Sequence, residues 1–231
     1  MGEIHRGFLL EPSNMVESEE TGAVAKKRGP SRLTLVVAGE DVSSFFRILQ
    51  RGFYVRAAME SALLTFLCRG LGLSPEYVTG RITTIFLDGK PVDDLEESRV
   101  VHGSHLSLSA AMPGLVGAVL RRGSQYASFR EAITYRQDQG HRGGAEGVVH
   151  LKLFNLVMEE VGPTLLRRGV IVGSRELREF FLSEPEVLTA CEEVLLDGAA
   201  ATREMLQDGE WPFTEEFVDL KVVTERHGQD L

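Results

Sequence analysis

Residues 82–92 commit this chain to a β-sheet. Ile82, Thr83, Thr84, Ile85, Phe86 and Leu87 are β-branched, aromatic or aliphatic on both alternating faces. Such a segment reads as a strand lying centrally, with neighbours on both sides. Asp88-Gly89 follows at once and suits a tight turn, and Lys90-Pro91-Val92 starts the return. The rest of the fold must be built around this hairpin.

Other strands follow from period-two alternation. Leu33, Leu35 and Val37 alternate with Thr34 and Val36, and Leu106, Leu108 and Ala110 alternate with Ser107 and Ser109. Phe53-Tyr54-Val55, Val148–Phe154, Val170-Ile171-Val172 and Phe217–Val223 are further β-prone runs. Helices are read from three- and four-residue spacing. A short one covers Val42–Leu49 and is stopped by Gly52. A longer one covers Ala58–Leu71, with Leu63, Phe66 and Leu67 in its apolar stripe. Ser74 caps a short turn opened by Pro75. Helical patterns also run through Leu156–Val161 and Glu176–Leu182. A last one opens at Pro185, with Ser183 and Glu186 as a capping box, and keeps Val187, Cys191, Val194, Gly198, Ala201 and Met205 on one face to about Leu206. The expected class is α+β. It comprises a tail over 1–31, a first lobe over 32–111, an apolar and arginine-rich connector over 112–147, and a helix-rich acidic α/β lobe over 148–231.

Charge separates these regions. The chain carries 34 acids and 25 bases, net −9, which argues against a general affinity for nucleic acid or anionic lipid. From Glu184 to Leu231 there are thirteen acids and three bases, net −10, whereas Arg121 to Arg142 holds five arginines against Glu131 and Asp138, net +3. The connector is apolar from Ala110 to Leu120, a stretch too short to span a bilayer. Phe8-Leu9-Leu10 after Arg6 is too short for a secretory segment. With only two cysteines a disulfide framework is excluded and a reducing, cytoplasmic setting is expected.

A degenerate repeat links the halves. Leu33-Thr34-Leu35, Glu40-Asp41-Val42, Arg51-Gly52, Val55 and Phe66-Leu67 match Leu151-Lys152-Leu153, Glu159-Glu160-Val161, Arg168-Gly169, Val172 and Phe181-Leu182. On this reading the second copy lacks a hairpin equivalent to Asp88-Gly89, and the two lobes pack about a pseudo-twofold axis.

The order of elements in 32–111 suits a β-grasp sheet laid across one helix. Phe86-Leu87-Asp88-Gly89-Lys90-Pro91-Val92, Val101-His102-Gly103-Ser104-His105-Leu106, Leu108 and Met112-Pro113-Gly114 resemble the C-terminal half of the ubiquitin-like sulfur carriers of thiamin and molybdopterin synthesis. The resemblance implies a β-grasp fold. Carrier activity in that family needs a free C-terminal Gly-Gly, whereas here the chain continues past Gly114 and past Gly143-Gly144. Sulfur-transfer chemistry therefore requires proteolytic exposure of such an end.

Candidate chemistry has a structural counterpart at each position. Cys191 lies with Val187 and Val194 and reads as a core thiol. Cys68 lies with Leu64 and Leu71 beside Arg69. His102 and His105 share a loop without a third ligand at metal spacing, and His150 sits in an apolar strand, where a structural hydrogen bond is expected. No phosphate loop, dinucleotide fingerprint or nucleophile elbow is present, so no catalytic, cofactor or metal residue is assigned. The arginines 121, 122, 130, 136 and 142 interleave with Tyr126, Phe129 and Tyr135. That pattern fits an RNA or nucleotide binder, or an arginine-bearing helix docked on the chain's own acidic block. The leading expectation is a non-catalytic protein-binding or scaffold protein acting through protein–protein contacts, a second copy of the chain among its partners. The candidate interaction residues are Met112, Leu115, Val116, Val119, Arg121, Arg122 and Arg130.

Overall fold

A computed structural model describes residues 30–58, 61–110, 114–125, 134–135, 146–207 and 211–224. The hairpin around Asp88-Gly89 forms as read, with positive φ at both turn residues (50° and 76°), the conformation that Asp and Gly tolerate. It joins β4 (Thr84–Leu87) to β5 (Lys90–Pro91). A second hairpin of the same kind stands in the other half. Asp197 and Gly198, at φ 50° and 86°, join β10 (Cys191–Leu196) to β11 (Ala199–Ala201). This corrects the expected helix to Leu206 and the expected lack of a second hairpin. The helix from Pro185, α7, ends at Thr189. Val187, Cys191 and Val194 are all buried, but Cys191 and Val194 are buried from a strand, because Asp197-Gly198 turns the chain back on itself.

The remaining strands are β1 (Ser31–Val37), β2 (Phe53–Ala58), β3 (Ser61–Ala62), β6 (Arg99–Val100), β7 (His105–Ser109), β8 (Glu146–Phe154), β9 (Val170–Gly173) and β12 (Phe217–Thr224). All but β3 and β6, which pair with each other, form one ten-stranded sheet in the order β11-β10-β1-β12-β9-β2-β8-β7-β4-β5. Read inward from either edge, the pairings run antiparallel, antiparallel, parallel, antiparallel. They meet at β9–β2, which are joined by Tyr54 opposite Ile171. β1 lies between β10 and β12, and β8 lies between β2 and β7. Each stretch of the sequence thus supplies its first strand to the neighbourhood of the other.

One face of the sheet is covered. Leu33, Leu35 and Val37 of β1, Val149, Leu151 and Leu153 of β8, and Val218, Leu220 and Val222 of β12 are buried on it. Against them pack α1 (Phe46–Arg51) and α5 (Asn155–Arg168). Helix α2 (Leu63–Thr65), continued by a wider turn Phe66–Gly70, buries Leu63, Phe66 and Leu67. It is shorter than the expected Ala58–Leu71 because Ala58 closes β2 and Ser61-Ala62 pairs with Arg99-Val100. Helix α6 (Ser174–Ser183) buries Leu177, Phe180 and Phe181. Arg51-Gly52 and Arg168-Gly169 end α1 and α5 alike. Both glycines stand at positive φ and donate back to the carbonyl four residues earlier.

The expected central strand is second from the edge. The chain after β7 forms α4 (Gly114–Leu120) and returns over this edge, with Arg122 N donating to Thr83 O (2.8 Å) and Tyr135 N to Pro91 O (2.9 Å). Helix α3 (Pro75–Gly80) is capped by Ser74, whose hydroxyl accepts from Tyr77 N. Helix α8 (Glu204–Gln207) packs on α6.

Candidate functional site

Strand alternation places the other half of every strand on the opposite, partly exposed face, and the registers align these residues into rows. One row crosses six strands as His105, His150, Tyr54, Ile171, Asp219 and Arg32. Beside it run Phe86, Ser107 and Lys152, then Thr84, Ser109 and Phe154. Strand β7 contributes only serines to these two rows, between the aromatic rings of β4 and β8. The result is a trough opening into a cavity of about 530 Å³.

The histidine pair gives the cavity its polar end. His105 Nδ1 and His150 Nδ1 are 3.1 Å apart, with ring centroids 4.9 Å apart, and Tyr54 stacks on His150 at 4.9 Å. A contact between two Nδ1 atoms holds one proton, so the pair carries at most one positive charge. Burial, then the neighbouring His105 and Lys152, hold His150 below the usual imidazole range, which leaves it neutral at pH 7. Gly52 makes room for the ring, since a Cβ there would collide with His150 Nε2 and Cε1. At the other end Asn155, at φ 53°, turns its side chain so that Nδ2 donates to Ser109 Oγ (3.1 Å). Thr84 is 1% exposed, and its Oγ1 has no partner among the described residues.

Sequence spacing does not reveal the His105–His150 pair, because the parallel β7–β8 ladder brings together residues from two halves of the chain. His102, expected beside His105, instead accepts from Val148 N (3.3 Å). No cluster of three or more metal-ligating side chains occurs among the described residues.

The residues singled out in the connector separate into outer and inner sets. Leu115 and Val116 are 74% and 65% exposed on α4, Val119 is half-buried and Arg121 is exposed. Arg122 turns inward and donates to the carbonyls of Val78 (2.9 Å) and Thr79 (3.1 Å) near the end of α3. Burial lowers its pKa and Asp93 opposes that shift. This arginine therefore docks in the first half, away from the acidic block. Met112, Arg130, Arg136, Arg142, Tyr126, Phe129 and Gly143-Gly144 lie outside the described residues. Cys191 is buried and its thiol donates to Val187 O (3.3 Å), while Cys68 is half-buried.

A three-residue clamp ties the halves together on the helical side. Tyr77 Oη donates to Glu160 Oε2 (2.7 Å), and Arg81 Nε lies 3.0 Å from both oxygens of the same carboxylate. The arginine, then the tyrosine, hold Glu160 down at about 2.

No family profile, no curated protein and no solved structure matches this chain. No helix among the described residues is long and apolar enough to cross a membrane.

Proposed function

We propose that this chain is a non-catalytic interaction protein of two β-grasp halves that assembles with a second copy of itself through α4. The exposure of Leu115 and Val116, side by side on a helix without a charged residue, carries this reading. Covering an aliphatic side chain of that size stabilises an interface by about 1.5–3 kcal/mol. The β-grasp reading is supported by the palindromic sheet. Each side of the sheet has an Asp-Gly hairpin, a parallel pair made of one strand from each stretch of the sequence, and a helical segment that buries phenylalanine, Phe66 on one side and Phe180 and Phe181 on the other.

A second copy offers the surface that α4 fits. Leu182 on α6 and Met205 on α8 are 58% and 43% exposed, on elements that pack together. Around them in the sequence stand Glu184, Glu186, Glu192, Glu193 and Glu204 with Arg178 and Arg203, and Glu184 pairs with Arg47. An apolar patch in a stretch richer in acids than in bases complements an apolar helix followed by Arg121 and a net-positive connector. The test is the mass in solution. Light scattering is expected to give a multiple of 25.5 kDa for the wild type. The Leu115→Asp/Val116→Asp variant, and the milder Leu115→Gln/Val116→Thr variant, should give the monomer with unchanged circular dichroism. A monomeric wild type, or variants that assemble as before, contradict the reading.

A further inference from the structure

We infer that the trough between β4 and β8 on the open face of the sheet is a binding site for a flat aromatic monoanion. The inference is independent of α4. Two observations converge on the cavity of about 530 Å³. Phe86 and Phe154 stand diagonally across it in adjacent rows, on strands separated by β7, which contributes Ser107 and Ser109 to those rows. Strands two apart lie about 10 Å from each other, so the serines form a floor with an aromatic ring at each of two opposite corners, on which one aromatic body can lie.

Its charge is also defined. Among the described residues the lining includes Lys152, His105 and His150 and no carboxylate, in a protein whose net charge is −9. Lys152 sets a full positive charge beside the partly buried His150, which matches a single carboxylate or sulfonate. The other cavity of about 530 Å³ next to Tyr54 is lined by Glu176, Glu215 and Glu216 as well as arginines, so it lacks this bias.

The ligand thus lies over the serines beside the two phenylalanines, its acid group at Lys152.

The probe is 1-anilinonaphthalene-8-sulfonate, an aromatic monoanion with a flat naphthalene core, compared with uncharged N-phenyl-1-naphthylamine. Fluorescence titration of the full chain should show saturable binding of one sulfonate per chain, with shifts of the His105 and His150 imidazole resonances. Lys152→Met, which keeps the apolar stem, should weaken the sulfonate roughly tenfold and leave the uncharged probe unchanged. Both effects should persist in the Leu115→Asp/Val116→Asp variant, which separates this site from α4. Equal affinity for the two probes, no effect of Lys152→Met, or binding that vanishes with the α4 variant and leaves the imidazoles unmoved would each overturn the assignment.

Discussion

At the scale of single residues, the two thiols are packed groups. Burial pushes the Cys191 thiol up to about 11, and burial followed by the Glu76 charge raises Cys68 as well. Both therefore hold less thiolate than a free cysteine at neutral pH. A thiol reagent is expected to label the native protein slowly and the denatured protein at once. Rapid native labelling of Cys68 would show an activated thiol instead. Glu160 gives a pH prediction. Its folded-state pKa of about 2 lies below the ordinary 4.5, so its contribution to stability is present above the ordinary value and lost as pH falls through about 2. Glu160→Gln should flatten this part of the acid dependence of urea unfolding. The effect is modest because the pair faces solvent. An unchanged acid limb would show that the Tyr77–Glu160–Arg81 clamp does not hold the halves. Helical spacing with Val187 and Val194 places Cys191 in the core, but it is strand β10 that buries it. The sequence contains no local signal for the clamp, whose members are far apart in the chain.

At the scale of elements, Asp88-Gly89, Ser74-Pro75 and Gly52 mark ends that the fold respects. The Ser183–Glu186 capping box does not form, because α6 runs through Ser183, whose hydroxyl donates to Phe180 O (3.0 Å), and α7 opens after Glu184 without a side-chain cap. Reading fails where two periods fit the same residues. Val187, Cys191 and Val194 satisfy helical spacing, yet the chain needs the Asp197-Gly198 turn and takes a strand from Cys191 onward. Ala58–Leu71 fails similarly, since its first residues are taken by sheet pairing. The buried part of that helix stands. Phe66 is 2% exposed, and Phe66→Ala should cost about 3–5 kcal/mol in chemical denaturation. A loss below about 1 kcal/mol would remove it from the core. The trough depends on elements as well. Its aromatic corners and serine floor exist only because β8 inserts beside β7, a long-range pairing no local pattern encodes.

At the scale of the whole molecule, the sheet is continuous across Tyr54 and Ile171, and its two sides repeat the same pairings. Charge is distributed on this frame with acids concentrated toward the C-terminal third and bases in the connector. That polarity, visible in the sequence, becomes complementary only when placed on surfaces with exposed apolar centres at Leu115–Val116 and at Leu182 and Met205. Self-assembly through such a pair should weaken as salt rises, because the charged rims are exposed and screened. Sedimentation velocity at increasing sodium chloride is expected to shift the wild type toward monomer. Assembly that tightens with salt would indicate a purely apolar contact.

The most direct measurement is a mixing experiment between two disabled chains. One carries Leu115→Asp/Val116→Asp, and the other Leu182→Asp/Met205→Asp. Each keeps one of the two complementary surfaces intact, so each alone is expected to sediment as a monomer. Their equimolar mixture should form a heterodimer held by the one remaining intact contact. If the mixture stays monomeric while the wild type assembles, α4 does not meet the acidic face of a second copy, and the account is contradicted.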